Sequence, residues 1–209
     1  MKLYLSSFKI GDEGQRLAHM VGGNKRIAII SNALDCYSDL ERRKKGEDLE
    51  IAELKLLGLK PEILDLRKYF GKRDELELFL RNFDAVWVRG GNCFVLRVAM
   101  KKSGFDDIIN KYEGSDFVYA GYSAGACVLS PSLKGIDFVD NPLALQDAYP
   151  KEKVCWEGLG IIDFAFEPHY KSDHPESADI DKEIEHLIDN KILFKAFRDG
   201  EVYIKDYDK

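Results

Sequence analysis

The chain has 209 residues, with 31 Lys and Arg against 37 Asp and Glu for a formal net charge of −6. A composition of 45% hydrophobic and 33% charged residues is that of a soluble globular protein and excludes a disordered or fibrous chain. The acidic balance excludes a sequence-blind nucleic-acid binder, which needs a basic face, and no apolar run approaches the ~20 residues that cross a bilayer.

Short β-rich runs alternate with helical stretches along the chain. Lys2–Ser6 and the Ile-rich Arg26–Ser31 read as strands. A long helix follows, with Ser38 and Glu41 spaced as a capping box, Leu49, Ala52 and Leu56 at helical spacing, and Gly58 as its stop. Glu62–Leu66 is a third strand, a helix runs from Lys72 or Asp74 to Phe83, and Asp84–Val88 is a fourth strand. Gly90, Gly91 and Asn92 turn the chain into a helix over Cys93–Lys102 with Asn92 as N-cap. Phe117–Ala120 is a fifth strand, followed by a Gly-flanked turn and a helix over Ala124–Leu129. Pro131–Cys155 is irregular and reads as loops or a flap. After it come a strand (Ile161–Phe166), a helix (Glu176–Asp189) and a closing hairpin of Ile192–Phe197 and Glu201–Lys205 around Asp199-Gly200. Strands apolar on both faces and alternating with helices define a three-layer α/β fold: a mostly parallel sheet covered on both sides, here expected as one domain over 1–209. Ligands of such sheets bind outside the carboxyl ends of the strands, so the strand-to-helix turns are where chemistry is expected.

The strongest of these turns is Gly121-Tyr122-Ser123-Ala124-Gly125, a G-x-S-x-G sequence in a strand–turn–helix setting. Such an elbow lifts the Ser123 hydroxyl above the sheet edge, and the Ala124 N–H at the helix start can stabilise an oxyanion. The preceding Arg89-Gly90-Gly91-Asn92 turn opens on the same edge and can supply a second donor, the Gly91 N–H, with Asn92 beside it on the substrate side. A serine needs a base. Of the four histidines, His169 in Glu167-Pro168-His169-Tyr170 follows a strand, and His174 stands in reserve. His169, Asp173 and His174 match no zinc signature, and no metal or organic cofactor is expected. A carboxylate must orient the imidazole; Asp199 and Asp140 are the two loop candidates. The four cysteines (Cys36, Cys93, Cys127, Cys155) form no C-x-x-C pair and suit a reducing, cytoplasmic compartment. No signal peptide is read in MKLYLSSFKI, which lacks an apolar stretch of about 7–15 residues.

Taken together, GYSAGA, the upstream RGGN, EPHY and the terminal RDG turn resemble the dipeptidase E / cyanophycinase family of serine peptidases over about Met1 to Lys205. The resemblance implies a class I glutamine amidotransferase-like scaffold with serine at the elbow. It also implies hydrolysis of short peptides, with Ser123 as nucleophile, His169 as base, and Gly91 and Ala124 as oxyanion donors. The family order favours Asp199 as the third member over Asp140. Two departures stand out: Asn92-Cys93 replaces an Asn-Thr pair, and no arginine shortly follows Pro168-His169-Tyr170, where aspartyl dipeptidases hold the substrate's aspartate. The expected partner is a small peptide, with no nucleic acid or membrane, and a homodimer is compatible with the sequence. The competing readings are another serine esterase or amidase, a glutamine amidotransferase, and a non-catalytic binding module on the same scaffold. Cys127 lies inside the helix and is no substitute for the thiolate that amidotransfer requires.

Overall fold

The structure, a computed structural model, describes residues 1–206. Its elements in chain order are β1 (Lys2–Ser6), α1 (Gly14–Met20), β2 (Arg26–Ile30), α2 (Leu40–Leu56), β3 (Lys60–Ile63), α3 (Arg73–Leu80), β4 (Ala85–Val88), α4 (Cys93–Ser103), α5 (Phe105–Asn110), β5 (Val118–Tyr122), α6 (Ala124–Cys127), α7 (Leu145–Ala148), β6 (Ala165–Glu167), α8 (Ser177–Asp189), β7 (Phe194–Ala196) and β8 (Val202–Lys205). Six strands form one sheet in the order β3-β2-β4-β5-β1-β8, parallel except for β8, which runs antiparallel to β1.

The chain starts inside this sheet, steps outward through β2 to β3, then reverses through β4 to β5. Right-handed crossovers put helices made in opposite directions on opposite faces. Two cores result. Tyr4, Ile27, Ile29 and Trp87 pack with Leu17 and Leu54 of α1 and α2. Leu3, Leu5, Ala28, Ile30 and Val86 pack with α3, α4 and α6 on the other side. Each central strand feeds both cores by simple alternation, which is why β4 and β5 are buried at every residue. No helix among the described residues is long and apolar enough to cross a membrane.

Several elements differ from the sequence reading. The capping residue of α2 is Asp39, whose side chain accepts the Arg42 N–H, and not Ser38. The buried stripe of α2 is Glu50 and Leu54, whereas Leu49 and Leu56 are 60% and 87% exposed. The glutamate turns inward because it meets an arginine, described below. β3 ends at Ile63; Leu64 and Leu66 are buried beyond it, in the approach to a short turn capped by Asp65. The segment after α6 is no free flap: Leu133, Ile136, Leu145, Tyr149 and Cys155 are anchored in the core. The strand expected at Ile161–Phe166 covers Ala165–Glu167, and Ile161 and Ile162 instead donate their N–H groups to the Leu129 carbonyl. The closing hairpin does not form. β7 pairs in parallel with β6 in a separate two-stranded sheet, and β8 pairs with β1. Asp199-Gly200 therefore bridges two sheets, with the Gly200 carbonyl accepting the Asp12 N–H.

Candidate active site

The carboxyl ends of β4, β5 and β1 lie side by side and carry Gly90-Gly91, Ser123 and Ser7. Ser123 has φ 48° and ψ −121°, a conformation an L-residue seldom adopts. The flanking glycines make it reachable. A Cβ at Gly125 would sit 2.1 Å from the Val88 carbonyl oxygen, so only glycine lets α6 press against β4. Ser123 donates its N–H to the Ser6 carbonyl (3.2 Å), and its own carbonyl accepts from Ala126 and Cys127. The elbow is thus pinned at both ends and leaves the half-buried hydroxyl at the sheet edge.

The turn after β4 is equally cramped. Gly91 has φ 141°, and a Cβ there would lie 2.7 Å from the Ala33 carbonyl oxygen. Among the described residues neither the Gly91 N–H nor the Ala124 N–H has a hydrogen-bond partner. Asn92 behaves differently from its expected substrate-side role. Its Oδ1 caps α4 by accepting from Phe94 and Val95, its Nδ2 donates to the Asn141 carbonyl, and it does not line the cavity described below.

His169 follows β6 with φ 59° and is almost fully buried. Its Nδ1 lies 2.7 Å from Asp199 Oδ1, and its backbone N–H donates to Ser7 Oγ at 2.8 Å. Ser7 Oγ donates in turn to the same Asp199 oxygen (2.9 Å), and the Asp199 N–H donates to Ser172 Oγ. The carboxylate oxygen therefore meets two partners while the Asp199 backbone is tied by a third contact, and the imidazole is left with Nε2 as its unbonded nitrogen. Burial lowers the His169 pKa from 6.5, opposed by the Asp199 hydrogen bond. The neutral ring that a base must present is favoured at neutral pH. Phe8 packs edge-on against His169, His174 and Tyr122.

Asp140 lies elsewhere. Its Oδ2 accepts the Cys93 N–H (2.7 Å) at the start of α4, and burial pushes its carboxyl up to about 6. Cys127 is buried and donates to the Phe166 carbonyl; a Cys93 contact lowers its pKa, but burial together with the charges of Glu167, Glu183 and Asp140 outweighs this and leaves the thiol up at about 11. A metal ion could draw on His169, His174 and Glu176, whose ligand atoms all lie within 4.8 Å of one another, but not on Asp173. The two imidazoles are stacked face to face (3.7 Å, 7°), so their in-plane lone pairs do not converge on one point.

Ser123, His169, Gly90, Gly91 and Tyr122 share one cavity of about 770 Å³ with the exposed side of α2. Beneath it, Glu50 accepts from Arg89 Nε (2.7 Å), Tyr122 OH (2.6 Å) and Trp87 Nε1 (2.9 Å). Two residues before His169, Glu167 meets Glu183; burial raises both carboxyl groups, and the Glu167 charge pushes Glu183 further. The sequence reading missed Ser7, Ser172 and Glu50. The one signal for Ser7 was its position directly after a strand whose end opens on the same edge.

A parallel sheet with helices on both faces, and a serine lifted on a glycine-flanked elbow that shares a cavity with a carboxylate-bound imidazole, define an α/β fold with its candidate site at the sheet edge. Within that fold class it belongs to Peptidase family S51, whose model matches residues 14–201. It is 31% identical over 99 residues to the Uncharacterized peptidase Lin0382 of Listeria innocua (47% of this chain, 45% of that protein). It is 34% identical over 152 residues to Peptidase E of Streptomyces coelicolor (73% and 54%). The matched stretches span about half the length of these relatives. The fold is that of a Listeria monocytogenes EGD-e crystal structure named as a candidate peptidase E, with TM-score 0.70, 24% identity, and 99% and 98% of the two chains covered. A peptidase from an acI-B1 Actinobacterium superposes with TM-score 0.71 at 16% identity, covering 98% and 82%.

Proposed function

We propose that the chain is a serine-type peptidase that hydrolyses short peptides through Ser123, His169 and Asp199. The observation that carries this reading is the 2.7 Å contact of His169 Nδ1 with Asp199 on an imidazole that shares its cavity with Ser123. With Nδ1–H held by the carboxylate, Nε2 carries the lone pair. It takes the Ser123 proton as the hydroxyl oxygen attacks the peptide carbonyl. Negative charge develops on that carbonyl oxygen, and the unpartnered N–H groups of Gly91 and Ala124 are placed to receive it, each worth ~3 kcal/mol in comparable sites. His169 then passes the proton to the leaving amine, and water repeats the sequence to free the acyl group. Asp199 fixes the tautomer and stabilises the imidazolium.

The Ser123 hydroxyl has no hydrogen bond among the described residues, a looseness common before substrate tightens a site. A cavity of about 770 Å³ suits a few residues of peptide better than a folded chain. Support for a peptidase over an esterase comes from the family and from relatives named Peptidase E. The test is a library of di- and tripeptides, with matched esters, offered to wild type and to Ser123→Ala. Peptide hydrolysis lost in the variant supports the reading; turnover of esters alone, or peptide turnover unchanged in Ser123→Ala, overturns it.

A further inference from the structure

Two carboxyl groups meet in the interior close to the elbow, and no ion-pair partner among the described residues answers them. Glu167 ends β6, Glu183 lies in the middle of α8, and they are 1% and 2% exposed. Their side chains are within hydrogen-bond reach of each other, while Glu167 Oε2 and Glu183 Oε1 have no hydrogen-bond partner. The groups that face Glu183 from neighbouring elements deepen the negative charge: Asp137 and Asp140 from the segment after α6, and the Cys127 thiol from α6. On α8 itself, the half-buried His186 ring flanks Gly135 alongside Glu183 without bonding to it. Cys93 and Glu176 complete the titratable lining of the small pocket that Glu183 shares with Gly91, Ser123 and Ala124.

Two carboxyl groups this close cannot both ionise in a dry interior, so one keeps its proton and donates it to the other. Burial and mutual repulsion hold the pair's last proton in place past neutral pH. The shared proton ties α8 to the end of β6, and the end of β6 carries the base. His169 stands two residues beyond Glu167 with φ 59°, a left-handed conformation that persists only where the surroundings impose it. The Glu167 carbonyl accepts the Phe197 N–H (2.8 Å), and the Phe197 carbonyl accepts the Tyr170 N–H (3.0 Å). The strand that leads to Asp199 is thus laced to the same residue. The neighbouring Phe166 carbonyl accepts from Cys127 Sγ of the elbow helix α6.

We propose that Glu183 is a positioning residue for the hydrolytic reaction: the proton it shares with Glu167 clamps α8 to β6 and seats His169 against Asp199. This rests on the peptidase reading of Ser123 and His169 and adds an alkaline limit to it. When the last proton leaves, two negative charges face each other in an apolar enclosure, and Asp137 and Asp140 add to the repulsion. The contact then opens and His169 loses its seat. Linkage sets the sign: carboxyl groups raised in the fold favour it at low pH and lose that contribution as pH rises through their folded range.

The test is kcat on a cleavable tripeptide, with melting temperature alongside, between about pH 7 and 9.5 in the full-length wild type, Glu183→Leu and Glu183→Gln. The leucine removes the shared proton; the glutamine still donates an N–H to Glu167 and has no proton to lose. At pH 7, kcat is expected about tenfold down in Glu183→Leu with KM little changed, and back to within about threefold of wild type in Glu183→Gln. Toward pH 9.5, wild-type kcat falls about fivefold and the melting temperature falls with it, and both declines flatten in Glu183→Gln. Wild-type kcat in Glu183→Leu at pH 7, equal losses in the two variants, or an alkaline decline unchanged in Glu183→Gln overturns the assignment. Where Glu183→Leu fails to fold, the pH profile of Glu183→Gln decides by itself. The melting curves need no substrate. A decline flattened in Glu183→Gln beside a wild type that hydrolyses no peptide upholds the clamp and overturns the peptidase reading; hydrolysis with a decline left steep overturns the clamp alone.

Discussion

Asp199 and Asp140 are the same residue type in irregular segments after the elbow, and their surroundings could hardly differ more. Asp199 lies on the bridge between two sheets and shares hydrogen bonds with His169 and Ser7. Asp140 turns onto the start of α4, where burial holds its carboxyl up at about 6. One carboxylate is attached to the imidazole and the other to the scaffold. Position after a motif does not separate these roles; the partner each carboxylate finds does.

The largest expected effect separates the two directly. Asp199→Asn keeps the shape but presents the wrong partner to Nδ1, and kcat on a cleavable peptide is expected to drop on the order of 10³–10⁴-fold. Asp140→Asn still offers an oxygen to the Cys93 N–H, and kcat is expected to stay within about threefold. Comparable losses in the two variants would erase the distinction.

Next in size is Ser7→Ala, which removes the hydroxyl that bridges the His169 N–H and Asp199. Steady-state kinetics should show kcat down about tenfold with KM little changed, and the acid limb of the profile displaced, as a positioning role requires. A change in KM alone would assign Ser7 to substrate binding.

A third prediction concerns pH. His169 is held below 6.5 by burial, so kcat/KM should fall with acid at a half-point under 6.5. The sign for stability is the same: a depressed base is protonated more readily in the unfolded chain, so folding weakens as pH drops through that range. A half-point above 6.5 would mean that the Asp199 charge dominates.

The smallest effect is on the Asp140 side. A carboxyl raised in the fold favours the folded state at low pH and loses that contribution as pH rises through about 6. Asp140→Asn should flatten thermal stability between pH 4 and 6, read by melting temperature, and an unchanged profile would remove Asp140 from the account of α4.

The elbow was legible in the sequence because each residue in it answers a steric demand. A Cβ at Gly125 would lie 2.1 Å from the Val88 carbonyl oxygen, where no side chain fits, and one at Gly121 would press against the same oxygen at 3.0 Å. β2, β4 and β5 were legible because they alternate between two dry cores. The Asp199 turn misled, since Asp-Gly serves equally well to close a hairpin or to cross between sheets. Glu50 and Ser7 were invisible for a different reason. Their partners lie 39 and 192 residues away, at Arg89 and Asp199, and no local period carries such pairings. Helix α2 shows the cost: its apolar spacing pointed to Leu49 and Leu56, while a polar contact across the fold turned Glu50 inward.

The central claim is that the Asp199-bound His169 activates the Ser123 oxygen. Reaction of the full-length chain with a fluorophosphonate, followed by peptide mapping in wild type and His169→Ala, tests it most directly. The account predicts one modified residue, Ser123, and labelling slowed at least a hundredfold in the variant. An unlabelled Ser123 in folded wild type, or labelling at equal rates in both chains, would contradict it.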